Sequence, residues 1–426
     1  MEFTQKPAKA QLDRVLDICV DVSKDKLDVY FELVERTCTD LLPNSTRQIE
    51  RHLRGYAAEA AKEGCHSLRV VCEPTGGYQD KLMRTARRLG FLTTYVSGEA
   101  VAKFRVVETN DNGKTDLKDP HIISTLARVD KGVLRHRHLD EEYSLLRTCG
   151  LHYEEADGAL VQTRCRIHHG LLELFPDYSF KNGFLYETSG RALMQLYHAN
   201  PYRIVQAGQQ AFYQAMRQQV PRIRHSTLQR LWQDAESSVL HQQSDEHLAL
   251  LELHVDGLWL DFVRLEQRKT EVEDRLVELL DRLRAKDPKV PAPTPGVISA
   301  KNLARLLGET GPLDDFASWR QLIRYAGLNI CMRQSGRYEG QFRISKKGRS
   351  LLRKILGQIV FPLVTRRALY GDYFHEKRQT MPGKKAMTAV MRMFLRKLHG
   401  WHKAGTDFDA ERHFICQGDW AQRQAA

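Results

Sequence analysis

The sequence predicts an α/β domain followed by two largely helical regions, which is an α/β plus α fold class. Three observations indicate this organisation. Residues 14–130 alternate strand-like and helix-like patterns, residues 245–285 repeat apolar side chains at heptad spacing, and four prolines mark a linker at 287–295. We therefore divide the chain into domains at 1–139, 140–290 and 291–426.

The first domain opens on a predicted hairpin. Residues 15–22 are an apolar, β-branched run, residues 23–25 form a turn, and residues 27–33 alternate apolar and polar side chains as an antiparallel second strand. A short strand at 38–42 follows, and then a helix that begins after the capping residues Asn44 and Ser45 and runs to Lys62. The remaining elements are a strand, a helix, a strand and two helices, with bounds 68–72, 78–89, 91–96, 99–107 and 115–129. This order predicts a ribonuclease-H-like sheet, because a Rossmann fold would open on a parallel βαβ unit with a glycine-rich turn.

The clearest periodicity in the chain lies in the predicted helix at 245–285. Its apolar positions step by three and four residues, with Lys269 as the one polar exception. A sustained 3.5-residue period favours a coiled coil, either a helix hairpin or a dimer, over one long helix of an intramolecular bundle. The candidate partner is a helix at 141–174. Its matching face carries Ala156, Leu160, Thr163, Ile167 and Leu171.

The composition indicates a globular protein with excess positive charge. Hydrophobic residues make up 42% of the chain and charged residues 28%, and the net charge is +12. Such an excess favours a polyanionic partner. The apolar run at 355–364 is interrupted and too short to span a bilayer, and residues 1–10 lack a signal peptide. The 8 cysteines form no Cys-x-x-Cys pair. We therefore expect no zinc ribbon, a reducing cytosol and no membrane partner.

The third region concentrates the positive charge. Residues 341–400 contain 15 Lys or Arg and 2 Asp or Glu, a net charge of +13. Arginine forks suit phosphates and aromatic rings can stack on bases, so we interpret this tract as a nucleic-acid-binding surface rather than only a solvated face. The interleaved aromatic residues are Tyr370, Tyr373, Phe374 and Phe394. We assign nucleic-acid contacts to Lys118, Arg343, Lys346, Lys347, Arg349 and Arg353.

Four acids of the first domain form a candidate metal site. Asp21 ends the first strand, Glu73 follows the strand at 68–72, and Asp116 and Asp119 lie three residues apart on a predicted helix. They would converge on one edge of the sheet, where four carboxylates repel one another unless divalent cations lie among them. Mg²⁺ prefers oxygen ligands and bridges phosphate oxygens, so the substrate predicted for such a site is a phosphodiester.

Each acid taken singly also fits a solvated surface carboxylate. The other acids nearby are Asp17, Asp25, Asp28, Glu108 and Asp111. Asp28 is the main rival to Asp21. Strand alternation places it on the face opposite to Leu27 and Val29, where we expect solvent.

Two glycine-containing segments of the third region are candidate functional loops. Gly296 precedes a helical segment at 301–307, whose backbone N–H groups can face a phosphate, although an ordinary helix start explains the pattern equally well. Further along, Ser335 lies beside a glycine. Such a serine is usually a turn residue and is inert until a base or a metal activates it, so the residues alone leave its role open.

These motifs form an ordered set at the two ends of the chain. The first group is Asp21-Val22-Ser23-Lys24, Glu73-Pro74-Thr75-Gly76 and Lys114-Thr115-Asp116-x-Lys118-Asp119. The second group is Gly327-Leu328, Gln334-Ser335-Gly336, Ile344-Ser345-Lys346-Lys347-Gly348 and Leu352-Arg353. The set resembles the DEDD-type insertion-sequence transposases, relatives of the Piv and MooV DNA invertases.

The resemblance implies a RuvC-like N-terminal domain, a coiled-coil middle and a C-terminal transposase domain. It implies that Mg²⁺ is bound by Asp21, Glu73, Asp116 and Asp119, and that Ser335 is a nucleophile that forms a covalent phosphoserine link with DNA. It further implies donor and target DNA as partners, guidance by an element-encoded non-coding RNA, and dimers that pair into tetramers. The expected location is the bacterial cytosol or nucleoid. Ser345 and Ser350 are rival nucleophiles that rank below Ser335.

Together these inferences predict a Mg²⁺-dependent DNA recombinase. The alternative is a RuvC-like junction-resolving endonuclease in which water attacks and Ser335 is a turn residue. A third interpretation is a non-catalytic nucleic-acid-binding protein with a coiled-coil dimer interface. A covalent protein–DNA adduct separates the first from the second, and acid substitutions that leave DNA rearrangement unchanged would favour the third.

Overall fold

The computed structural model consists of two compact units, Met1–His138 and Leu139–Ala426. The residues that it describes are 15–109, 118–135, 140–181, 183–332, 334–335, 338–340, 342–366 and 368–405. Within these residues, no helix has the length and apolarity that crossing a membrane requires.

A six-stranded mixed sheet forms the centre of the first unit. Its strands are β1 (Val15–Val22), β2 (Lys26–Glu32), β3 (Thr37–Pro43), β4 (Ser67–Cys72), β5 (Leu92–Val96) and β6 (Val133–Arg135). The strand order is β3-β2-β1-β4-β5-β6. β1 pairs antiparallel with β2 and parallel with β4, and β5 pairs parallel with β4 and antiparallel with β6. This α/β arrangement is compatible with the predicted ribonuclease-H-like domain.

Helices cover both faces of this sheet. They are α1 (Thr46–Lys62), α2 (Asp80–Arg88), α3 (Gly98–Thr109) and α4 (Lys118–Arg128). Alternation along β1 separates two cores, because Ile18 and Val20 pack with residues of α1 and α2, whereas Cys19 packs with residues of α3 and α4. The five predicted strands and the first three predicted helices are confirmed to within two residues. The fourth helix is confirmed over 118–128, and its predicted start at 115–117 lies outside the described residues. Strand β6 was not predicted, because three residues are too few to show a periodicity.

The second unit begins with a long hairpin of two helices, and a small helical lobe is inserted between these helices in the sequence. Its helices are α5 (Glu141–Leu174), α6 (Thr188–Tyr197), α7 (Pro201–Ala207), α8 (Gln209–Gln219), α9 (His225–Ser238) and α10 (Asp245–Lys286). The predicted helix at 141–174 is confirmed at both ends. Helices α6–α9, residues 188–238, pack around buried side chains that include Leu193, Phe212, Met216, Leu228 and Trp232. We call this part the α6–α9 lobe.

Helices α5 and α10 pack antiparallel along the predicted heptad seam. Lys286 contacts Glu142 near one end, and a Cβ added to Gly170 would lie 3.0 Å from the Val255 side chain near the other. The polar exception Lys269 is accommodated because its Nζ donates to Asp157 Oδ1 at 2.7 Å. The seam prediction is confirmed, with most of its apolar residues buried, and the two helices form a hairpin within one chain.

The remainder of the second unit is mainly helical. Its helices are α11 (Ala300–Thr310), α12 (Trp319–Tyr325), α13 (Ser350–Arg366), α14 (Ala368–Thr380) and α15 (Gly383–Ala404). Gly308 lets α11 approach α5 closely, since a Cβ there would lie 2.8 Å from the backbone nitrogen of Arg147. The proline-rich segment is irregular, yet Val290, Val297 and Ile298 are buried in the same core as these helices. The division of this unit at residue 290 stays a prediction.

Candidate active site

Two adjacent parallel strands bring acids of the first unit together. In the β1–β4 ladder Val20 lies opposite Cys72. The next residues, Asp21 and Glu73, therefore lie at the carboxyl ends of two adjacent strands. Asp119 lies in the first turn of α4, and α4 packs on the face of β1 that bears Cys19. All three carboxylates line one cavity of about 310 Å³. Asp116, the fourth predicted acid, lies outside the described residues.

Asp28 lines the same cavity, which corrects the expectation that it faces solvent. In the β1–β2 ladder Asp28 lies directly opposite Asp21, and paired residues of neighbouring strands point to the same face of a sheet. Its side chain is 13% exposed, and Lys26 Nζ lies 3.3 Å from Asp28 Oδ2. Strand alternation predicted the face correctly. It did not reveal that the helices covering this face enclose the residue.

Cations and a buried thiol report the charge of this cavity. Arg105, a lining residue, donates from Nε at 3.0 Å and Nη2 at 2.6 Å to the same oxygen of Asp119, Oδ1, and the two side chains are 16% and 6% exposed. Burial raises the pKa of the Cys72 thiol, and the negative charges of Glu73 and Asp21 raise it further. The cavity is lined by four described carboxylates and by Lys26 and Arg105, which offset part of the negative charge.

The described acids of the cavity do not bring three ligand atoms within 4.8 Å of one another. Within the described part of the chain, one histidine and carboxylate triad has its ligand atoms within 4.8 Å of one another, and it is His198, Glu252 and Asp256 in the second unit. That triad is already engaged. His198 bonds Asp256 at 2.7 Å, and Glu252 accepts hydrogen bonds from Asn200 and Arg203. Its contacts are those of a polar junction between the α6–α9 lobe and α10.

In the second unit, Ser335 lies on a narrow β-ribbon. The ribbon is a nested pair of antiparallel two-residue ladders, and its strands are β7 (Ile330–Cys331), β8 (Gln334–Ser335), β9 (Tyr338–Glu339) and β10 (Arg343–Ile344). We call residues 330–344 the Ser335 ribbon. The backbone of Ser335 pairs antiparallel with that of Tyr338, and the Ser335 side chain lies outside the described residues. Ile330, Met332 and Phe342 are exposed along its length.

Two glycines, Gly327 and Gly348, allow close backbone contact between the two segments at the base of the ribbon. A Cβ on Gly348 would lie 2.4 Å from the carbonyl oxygen of Tyr325 and 2.5 Å from the nitrogen of Gly327, so the two segments pass in backbone contact. Gly327 has φ +68°, in the region that favours glycine. Arg353 Nη1 then donates to the carbonyl oxygens of Ala326 and Gly348, at 3.0 and 3.3 Å. The glycines of the second motif group therefore build a rigid base for the ribbon that carries Ser335.

Two family models match this chain at the regions just described. A DEDD transposase model matches residues 18–176, and a model described as "Transposase IS116/IS110/IS902 family" matches residues 294–375. The chain belongs to the DEDD-type insertion-sequence transposases. Members of these families are DNA transposases, enzymes that cut and rejoin DNA, and the DEDD type implies a divalent metal. No curated protein matches the chain.

Five of the six basic residues assigned to nucleic acid in this transposase fall into two groups. Arg343, Lys346 and Lys347 are exposed at the base of the ribbon. Arg349 instead donates from Nε and Nη2 to the buried carboxylate of Glu309 at 2.9 and 3.1 Å, and Arg353 bonds backbone carbonyls as described. Lys118 begins α4, and its side chain lies outside the described residues. For all of them a nucleic-acid contact stays a prediction.

Two aromatic residues of the basic tract prove to be core residues. Tyr370 is 1% exposed and Phe394 is 2% exposed, so neither ring can stack on a base. Tyr373 and Phe374 are partly exposed and lie under Lys377 and Arg378, respectively, in cation–π contacts. The sequence interpretation treated all four rings alike because the helical period of α14 and α15 is obscured by the high charge density.

The two rival nucleophiles, Ser345 and Ser350, lie where the ribbon ends and α13 begins. The Ser345 hydroxyl donates to Asn329 Oδ1, and the Ser345 backbone nitrogen donates to the Asn329 carbonyl at 2.8 Å. Ser350 is the first residue of α13. Ser345 therefore contributes to the base of the ribbon.

Proposed function

We propose that this transposase cuts and rejoins DNA through a phosphoserine link at Ser335, with Mg²⁺ held by Asp21, Glu73, Asp116 and Asp119. The observation that carries this proposal is the shared cavity of Asp21, Glu73 and Asp119. The domain assignment that accompanies it is a RuvC-like domain at 1–139, a coiled-coil region at 140–290 and a transposase domain at 291–426. Donor and target DNA are the substrates, and we propose the cytoplasm as the place of action.

The donor set of the cavity fits a hard divalent cation. Its acidic ligand groups are carboxylates, which provide only oxygen donors, and those of Asp21 and Glu73 lie at the ends of adjoining strands. A divalent ion bound there would polarise the scissile phosphate and stabilise the leaving oxygen. Arg105 fixes one oxygen of Asp119, which orients the carboxylate, and its cation offsets negative charge that would otherwise repel a DNA phosphate.

Ser335 supplies the nucleophile in this mechanism. Its Oγ attacks phosphorus, a bond from phosphorus to a deoxyribose oxygen breaks, and that oxygen leaves as a hydroxyl with the serine proton. The phosphoserine ester retains a phosphodiester-level bond, so the hydroxyl of a second strand can attack it, reform DNA and return the proton to serine without ATP. The ribbon supports this role because the segments on either side of Ser335 expose Ile330, Met332 and Phe342.

Partner recognition is a further part of the proposal. The exposed Arg343, Lys346 and Lys347 at the ribbon base would contact nucleic-acid phosphates near Ser335. A guide non-coding RNA encoded by the element would select donor and target sequences by base pairing. The active assembly would be a dimer that pairs into a tetramer.

A covalent-adduct assay tests the nucleophile. The DNA that flanks the gene, together with any RNA transcribed from it, is supplied to native protein, Ser335→Ala and the matched control Ser350→Ala, which removes an exposed serine at the start of α13. We expect a denaturation-resistant protein–DNA adduct and excised circles with native protein, and neither with Ser335→Ala. Ser350→Ala should still form the adduct. Cleavage without an adduct in all three proteins would instead support the alternative, a RuvC-like endonuclease in which water attacks.

A further inference from the structure

The α6–α9 lobe has an unusual charge pattern. Its 51 residues, 188–238, contain two acids, Asp234 and Glu236, against six arginines and nine glutamines. The neighbouring helix α10 contrasts with it, since its 42 residues carry 11 acids and 7 lysines or arginines. An ordinary solvated surface mixes both signs of charge, so this lobe has a composition that suits a polyanion.

Helix α8 presents the polar part of the lobe on one face. Phe212 and Met216 are fully buried and anchor the opposite face in the lobe core. The outward face forms a shallow groove of about 460 Å³, lined by Gln210, Tyr213, Gln214, Arg217 and Gln218. These positions lie three, four, seven and eight residues apart, so they share one side of the helix.

Among the described residues, three arginines in and after α8 have no carboxylate partner. Arg217 contacts the ring of His225, with Nη2 3.4 Å from Nδ1, and it is exposed. Arg222 and Arg224 are exposed in the turn that follows α8. Other lobe arginines are engaged, since Arg191 and Arg203 bond Glu266 and Glu252. The charges of the first three, within the described part of the chain, are not offset by any ion pair.

We propose that the outward face of α8, with Arg217, Arg222 and Arg224, binds duplex DNA as a surface distinct from the basic tract at 341–400. An 11-residue helix is about 16 Å long, and it fits the roughly 12 Å wide major groove of B-DNA. Glutamine and arginine are the side chains that read adenine and guanine edges there, and the flanking arginines suit the phosphates. The deep, narrow major groove of A-form RNA does not admit such a face.

Salt-dependent binding tests this surface without any reaction. The triple variant R217Q/R222Q/R224Q and native full-length protein are titrated onto a 30-base-pair duplex DNA at several salt concentrations. Each lost phosphate contact lowers the slope of log K against log salt by about 0.9, so we expect a reduction of up to about 2.7 and binding about tenfold weaker or more near 100 mM salt. The matched control is R264Q/R268Q/R282Q on α10, which removes the same charge and should change the slope little.

Three outcomes would overturn the proposal. One is an equal effect of the two triple variants, which would mean that only net charge matters. Another is unchanged DNA binding with weaker binding to duplex RNA of the same sequence, which would assign the face to RNA. The third applies if the triple variant does not unfold cooperatively and so is not properly folded. The single variants R222Q and R224Q are then titrated instead, and an unchanged slope of log K against log salt in both would overturn the proposal. The choice of DNA as the partner rests on the proposed function. Binding is measured without the Ser335 reaction, so failure of the binding proposal and failure of the proposed function can be distinguished.

Discussion

At the residue scale, the acid cavity depends on space as well as charge. Gly98 begins α3 at the edge of the cavity, and a Cβ there would lie 3.2 Å from Glu73 Oε2. That distance is shorter than ordinary van der Waals contact, so a methyl group would displace the carboxylate by a few tenths of an ångström. The absence of a side chain at residue 98 therefore keeps Glu73 in its position beside Asp21.

We expect Gly98→Ala to weaken use of the divalent metal. A displaced ligand should raise the Mg²⁺ concentration needed for half-maximal strand cleavage by about tenfold, in the range usual for changes beside metal ligands. Gly55→Ala in α1 is the control, because nothing lies within 4 Å of its added Cβ and alanine favours a helix by about 0.5–1 kcal/mol. Equal metal dependence in the two variants would contradict the expected role of Gly98.

The sequence predicted single residues unevenly. It identified Asp21, Glu73 and Asp119 as acids that meet at one sheet edge, because strand ends and helix starts can be predicted from local pattern. It misjudged Asp28, although a hairpin with strands at 15–22 and 27–33 pairs residue 22 with residue 27 and therefore residue 21 with residue 28. Arg105 was not predicted, because its contact with Asp119 depends on how α3 and α4 pack.

At the element scale, the Ser335 ribbon depends on its glycine base. Gly348 lies so close to the carbonyl oxygen of Tyr325 and the nitrogen of Gly327 that there is no room for a Cβ. Both of these atoms belong to the backbone, which cannot rotate away as a flexible side chain can. We expect Gly348→Ala to separate the two segments, at a cost of about 1–3 kcal/mol, and to abolish adduct formation by misplacing Ser335. Thermal unfolding and the adduct assay measure the two effects.

Gly400→Ala serves as the matched control for the ribbon base. Gly400 lies within α15, and nothing lies within 4 Å of its added Cβ. This variant should unfold at the native temperature or slightly above it and keep full adduct formation. Normal adduct formation by Gly348→Ala would show that the ribbon can position Ser335 without the close backbone contact.

Elements with a strong period were predictable, and those held by tertiary contact were not. The heptad pattern fixed α5, α10 and their shared seam because each position along a helix repeats the same packing environment. The ribbon strands are two residues long, so they carry no period, and only the glycines around them hinted at a turn. The burial of Tyr370 and Phe394 likewise depends on helices that are distant in sequence.

At the scale of the whole molecule, the acids and Ser335 belong to different compact units. A site formed by both therefore has two possible compositions, one chain or two. If the groups come from two subunits of a dimer, a mixture of Asp119→Ala and Ser335→Ala proteins should recover activity. Half of randomly mixed dimers contain one chain of each kind and each of these has one intact site, so about a quarter of native activity is expected.

The control for this experiment is each variant alone, which should be inactive. The readout is excised circles from a common substrate after the two proteins have been refolded together or co-expressed. Activity no higher than the sum of the separate variants would place the acids and the serine of one site in the same chain. Recovery in the mixture would establish a shared site and an obligatory dimer.

The antiparallel course of α5 and α10 has an evolutionary consequence. The chain leaves along α5 and returns along α10, so the two ends of the segment 175–244 lie beside each other. This segment is therefore an insertion between the two helices. Such a segment can be shortened, replaced or exchanged between relatives while the continuity of the flanking sequence is kept. Diversification of DNA preference in this lineage would then proceed by swapping a module, with the reaction chemistry left intact.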